Sequence, residues 1–108
     1  MDTKMTHGNL HVYPQEFWHE DAFIVADRAA LLALRNLIDK VLAPGPGFDK
    51  EEFFASDGEG YSLHVVDLEG DEGWNKIGTP YTGDMSREKR DSAVWPWEIV
   101  KMRKERKA

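Results

Sequence analysis

The chain has 108 residues, no cysteine and a formal net charge of −6. That length is enough for one domain around one core. The lack of cysteine excludes a disulfide framework, a zinc ribbon and a thiol nucleophile, and it suits a reducing, cytoplasmic setting. The acidic balance argues against broad binding to nucleic acid, because phosphate contacts need excess positive charge. The apolar runs, such as Ala22 to Ala26, are too short to span a bilayer, and the first residues lack the apolar core of a signal peptide.

Residues 1–9 read as a flexible tail. Leu10-His-Val-Tyr13 alternates apolar and polar residues and predicts a short strand ended by Pro14. Residues 14–21, with Phe17, Trp18 and His19, predict a bridging loop. Ala22-Phe-Ile-Val-Ala26 is apolar at every position, which predicts a central strand covered on both faces.

A helix follows. Asp27 is placed to cap it, and Ala30/Leu31, Leu34, Leu37/Ile38 and Val41/Leu42 recur at helical spacing as the expected buried stripe. Ala43-Pro-Gly-Pro-Gly47 stops it. Phe53–Ser56 and Tyr61–Leu68 flank Asp57-Gly-Glu-Gly60, a hairpin signal. A short helix is expected from Asp84 or Ser86 to about Val94, and a last one after Pro96, fraying over 103–108. The fold class expected is α+β: a single two-layer domain with a small antiparallel or mixed sheet of about four strands. Its order is β-β-α-β-β-α-α, with the sheet under one long helix and one or two C-terminal helices.

Most chemical motifs fail on inspection. Asp67, Glu69 and Asp71 imitate a calcium loop, but Glu72 stands where glycine is needed and Gly78 where a bidentate glutamate is needed. The four histidines lack metal-site spacing, so no metal or cofactor is expected. Ser56 or Ser62 with His64 and Asp67 supplies the residue types of a triad without a nucleophile elbow. The composition therefore points to a binding protein rather than an enzyme.

One region departs from the acidic background. Through Gly83 the chain has 6 Lys/Arg against 15 Asp/Glu; from Asp84 it has 8 against 5. There Trp74, Thr79, Tyr81 and Thr82 precede Arg87, Lys89 and Arg90. This grouping suits an anionic, nucleotide-like small molecule, which the protein would sequester. Trp74 and Tyr81 would wall the ligand, Thr79 and Thr82 would donate hydrogen bonds, and Arg87, Lys89 and Arg90 would neutralise its charge. A domain this small has little interior for a deep pocket, so a homo-oligomer is expected. The plain alternative makes the basic run a solvated face, with Trp95 and Trp97 plugging the core. The functional alternative is an inhibitor of the toxin-immunity or anti-defence type, whose acidic surface over residues 49–72 covers a basic site on a partner protein.

Overall fold

The computed structural model describes residues 8–68, 74, 76–80 and 94–107. Their order is β1 (Leu10–Tyr13), β2 (Phe23–Ala26), α1 (Arg28–Leu42), β3 (Phe48–Phe54), β4 (Gly60–Val66) and α2 (Pro96–Lys107). The protein is α+β, as expected. Among the described residues, four strands form two antiparallel pairs, β1–β2 and β3–β4, instead of one continuous sheet. A parallel bridge, Asn9 to Phe54, connects the pairs. The helix expected over 84–94 falls on residues outside those described, except for Val94, which forms a bridge to Ile77. Contacts divide the chain into two compact units: Met1–Tyr13 with Phe23–Asp67, and Pro14–Ala22 with Leu68–Ala108.

In the first unit, α1 begins where its cap dictates. Asp27 has extended backbone, and its Oδ1 accepts from the Ala30 N–H at 3.0 Å. Its Oδ2 accepts from the Asn9 N–H at 2.9 Å, and the Asp27 N–H donates to the Asn9 carbonyl at 3.2 Å. One carboxylate therefore caps the helix and holds the start of β1. Gly8 makes this possible: its φ is +58, and a Cβ there would lie 2.0 Å from Asp27 Oδ1. Of the tail expected over residues 1–9, Gly8 and Asn9 are thus held in the fold, and the rest lies outside the described residues.

The Asn9 N–H, and secondarily the Ala30 N–H, hold the Asp27 carboxyl below its ordinary value of 3.8, against a smaller opposing effect of desolvation. The folded state thus binds the proton less readily than the unfolded chain. The stabilisation is fully present above the unfolded value and is lost as pH falls through the depressed folded one. Urea midpoints measured between about pH 6 and about pH 2 should therefore fall more steeply for the native chain than for Asp27→Ala, which lacks this linkage.

The core of this unit is Leu10, Ala30 and Phe53, with Ala26, Ala33, Leu34, Tyr61 and Leu63 packed against it. Register explains the selection. Phe53 pairs with Tyr61, and Leu10 with Ala26, so each pair presents its side chains to one face of its sheet. The Tyr61 hydroxyl donates to the Leu10 carbonyl at 2.5 Å and ties the two hairpins together; burial pushes the phenol's pKa up. On the first hairpin, the Ser56 N–H donates to His11 Nε2 at 3.0 Å, while His11 Nδ1 and the Tyr13 hydroxyl lie 2.6 Å apart. His11 Nε2 is therefore occupied as an acceptor, and its proton sits on Nδ1.

Two sequence expectations need correction. The helical stripe is wider than the surface it meets: Ala30, Leu37 and Val41 are buried, while Leu31, Ile38 and Leu42 are exposed. The two sets lie one residue apart along the chain, about 100° around the helix. The second correction concerns β2. It is an edge strand, and Phe23, Ile24 and Val25 are 58%, 54% and 56% exposed, on both faces. The hairpin predicted around Asp57–Gly60 is present, with the Ala55 N–H donating to the Glu59 carbonyl at 2.8 Å and Gly58 at φ +93, although β3 begins earlier, at Phe48.

Candidate functional site

The second unit contains the region singled out by composition. Helix α2 starts at Pro96, whose fixed φ and missing N–H suit a first helical position. Trp95 is its cap residue. The Trp95 carbonyl accepts from Glu98 at 2.9 Å and Ile99 at 3.2 Å, and the Glu98 side chain reaches back to the Trp95 N–H at 2.9 Å. This reciprocal arrangement fixes the backbone on both sides of Trp95.

Immediately before it, Val94 makes a parallel bridge to Ile77. The Gly78 N–H donates to the Val94 carbonyl at 2.8 Å, and the Val94 N–H donates to the Lys76 carbonyl at 2.7 Å. Segment 76–78 is thus laid beside the entry to α2. The Trp95 ring then lies directly over Gly78, where a Cβ would approach its Cζ3 to 2.1 Å. Only a residue without a side chain fits under the indole.

Trp95 and Trp97 stack with ring centroids 5.7 Å apart and planes 7° from parallel. Trp97 is 68% exposed. The expectation that both tryptophans plug the core is therefore corrected: Trp97 faces solvent, and half-buried Trp95 backs it. The pair forms a flat aromatic platform whose lower ring rests on a glycine. An exposed indole stacked on a second one keeps a large apolar π face in water.

Of the residues chosen from the sequence, Trp74 is 68% exposed, and Thr79, next to Gly78, is exposed. No hydrogen bond or ring contact joins these two. Tyr81, Thr82, Arg87, Lys89 and Arg90 lie outside the described residues. Trp95 and Trp97, read from the sequence as core residues, and Gly78, which the sequence did not single out for the site, are what the structure brings together here. The available signal was Trp-Pro-Trp at a helix start, where the cap residue and the second helical position flank a rigid proline. Α glycine opposite a large ring carries no such signal until the bridge is known.

Other candidates are weaker. Ser62 and His64 are exposed on β4, opposite Glu52 and Lys50, on the face away from Phe53. Among the described residues, no three His, Asp or Glu side chains group to hold a metal ion, and no helix is long and apolar enough to cross a membrane. The chain matches no family model, no curated protein and no solved structure.

Proposed function

We propose that the protein binds an anionic, nucleotide-like small molecule without transforming it, with a planar ring stacked on the Trp95–Trp97 platform. The observation that carries this reading is the 68% exposure of Trp97 while it is stacked at 5.7 Å on Trp95. A base laid on that face would recover the apolar contact that water denies it. Segment 76–80, beside the platform, offers the Thr79 hydroxyl, and exposed Lys76 adds a cation. Arg87, Lys89 and Arg90 precede Val94 in the chain and are the groups assigned to the ligand's charge.

The test is titration with adenosine, guanosine, cytidine and uridine monophosphates, using inorganic phosphate as a control and indole fluorescence as the readout. At least one nucleotide should quench the emission and raise the melting temperature. Stacking of a base on an aromatic ring contributes about 1–3 kcal/mol, so Trp97→Ala should weaken that affinity by about 5- to 160-fold. Arg87→Ala should weaken it as well, whereas neutralising Glu69, Asp71 and Glu72 should leave it intact. The absence of any quenching or thermal shift at millimolar nucleotide would overturn the reading. An inhibitor would show the reverse pattern: association with a basic protein, slowed by salt and lost on neutralising the acids.

A further inference from the structure

Strand β2 is at odds with its own sequence. Phe23-Ile-Val-Ala26 has no polar side chain, a composition that belongs in the middle of a sheet, yet among the described residues its only ladder partner is β1. The phase of the ladder shows what the free edge offers. The Asp27 N–H donates to the Asn9 carbonyl, so in this register His11–Val25 and Tyr13–Phe23 are the hydrogen-bonded pairs. The N–H and C=O groups of Ile24 and Ala26 therefore point away from β1. An unprotected edge of this kind, without charge, proline or bulge, is a template for another strand.

We infer that the occupant is a second copy of this chain, added antiparallel along β2 with a two-fold axis through Ile24, giving the strand order β1-β2-β2-β1. Three observations select a second copy. Ile24 and Ala26 present donors and acceptors in the same phase, so the edge is complementary to itself under a two-fold rotation. In that register Phe23 of each copy lies beside Val25 of the other on one face, an aromatic against a β-branched side chain, and the two Ile24 side chains lie side by side on the opposite face. The pairing also turns a marginal two-stranded hairpin into four strands and makes β2 the central strand that its composition describes. This inference is independent of the ligand-binding reading.

Sedimentation velocity on the full chain should report two chains per particle. Ile24→Pro removes an outward-pointing N–H and leaves the β1 ladder's own donors in place, so it should yield a monomer with an unchanged far-UV circular dichroism spectrum. The native chain has no cysteine, so single-cysteine variants report geometry cleanly. Ile24→Cys should form a disulfide-linked dimer under mild oxidation, because residues facing each other across a two-fold ladder have Cα atoms about 5.5 Å apart. Leu42→Cys, exposed on α1, should cross-link only at background level. Should Ile24→Pro fail to fold, the cross-link decides alone. A native chain that stays monomeric up to about 1 mM would overturn the proposal. So would a dimer in which Ile24→Cys cross-links no better than Leu42→Cys, or a monomer that binds a foreign extended peptide at this edge.

Discussion

Phe53→Ala is expected to cost about 3–5 kcal/mol of unfolding free energy, the largest effect of any single truncation in the first unit. Phe53 is fully buried and is the largest side chain among the three at the centre of that core. Its removal forfeits both the transfer of an aromatic ring from water and the contacts made by its neighbours, which cannot all collapse into the space. Leu10 and Tyr61 are held on one side by the hydrogen bond from the Tyr61 hydroxyl to the Leu10 carbonyl. Ala30, on α1, is held by the Asp27 cap. These restraints limit relaxation and push the cost toward the upper part of the range. Domains of this size are stable by only about 5–15 kcal/mol, so the variant should lose a large share of its stability. Urea unfolding should show a lower midpoint with an unchanged slope. Phe54→Ala, at a half-buried neighbour on the opposite face of β3, should cost less than half as much.

The parts of the fold that were legible in the sequence are those set by local chemistry. Asp27 announces the helix because its carboxylate can reach an N–H one turn ahead, and it does so at Ala30. Pro44 to Gly47 stop α1, and Asp57 to Gly60 turn a hairpin, because backbone freedom at those positions depends on residue type alone. Pro96 opens α2 for the same reason.

What periodicity does not reveal is how much of an apolar surface has a partner. On α1 the pattern includes Leu31, Ile38 and Leu42 along with Leu37 and Val41, yet only the latter two are buried. In β2 a run apolar on both faces reads as a central strand, and it lies at an edge. Both misreadings have the same physical origin: hydrophobicity reports a demand for burial without saying whether the chain itself or another copy meets it. The site shows the same limit. Trp74 and Thr79 stood out in the sequence as a ligand wall and a hydrogen-bond donor, but the glycine beneath the Trp95–Trp97 stack is brought there by a non-local bridge between Ile77 and Val94.

That dependence makes Gly78 the most informative position for the site. An added Cβ would lie 2.1, 2.3 and 2.6 Å from Cζ3, Cη2 and Cε3 of Trp95, all below the 3.0 Å that real Cβ contacts respect. The backbone has little room to retreat, since the Gly78 N–H is bonded to the Val94 carbonyl at 2.8 Å and the Val94 N–H to the Lys76 carbonyl at 2.7 Å. The Trp95 backbone is equally fixed, its N–H bonded to Glu98 at 2.9 Å. The indole itself must therefore swing away, and it cannot do so and remain within 7° of parallel to Trp97. Gly78→Ala should cost about 1–3 kcal/mol, in the range of overpacked sites, and should abolish the near-ultraviolet circular dichroism of the stacked pair. Nucleotide affinity should fall with it, although Trp97 itself is untouched. The clash is specific to one ring, which supplies the decisive comparison. In a Trp95→Ala background the alanine at position 78 has no indole to meet, so Gly78→Ala should add little further destabilisation there. The two substitutions should thus be strongly non-additive. Additive costs, or a preserved aromatic signal in Gly78→Ala, would mean that the ring does not rest on the glycine, and the platform would lose its foundation.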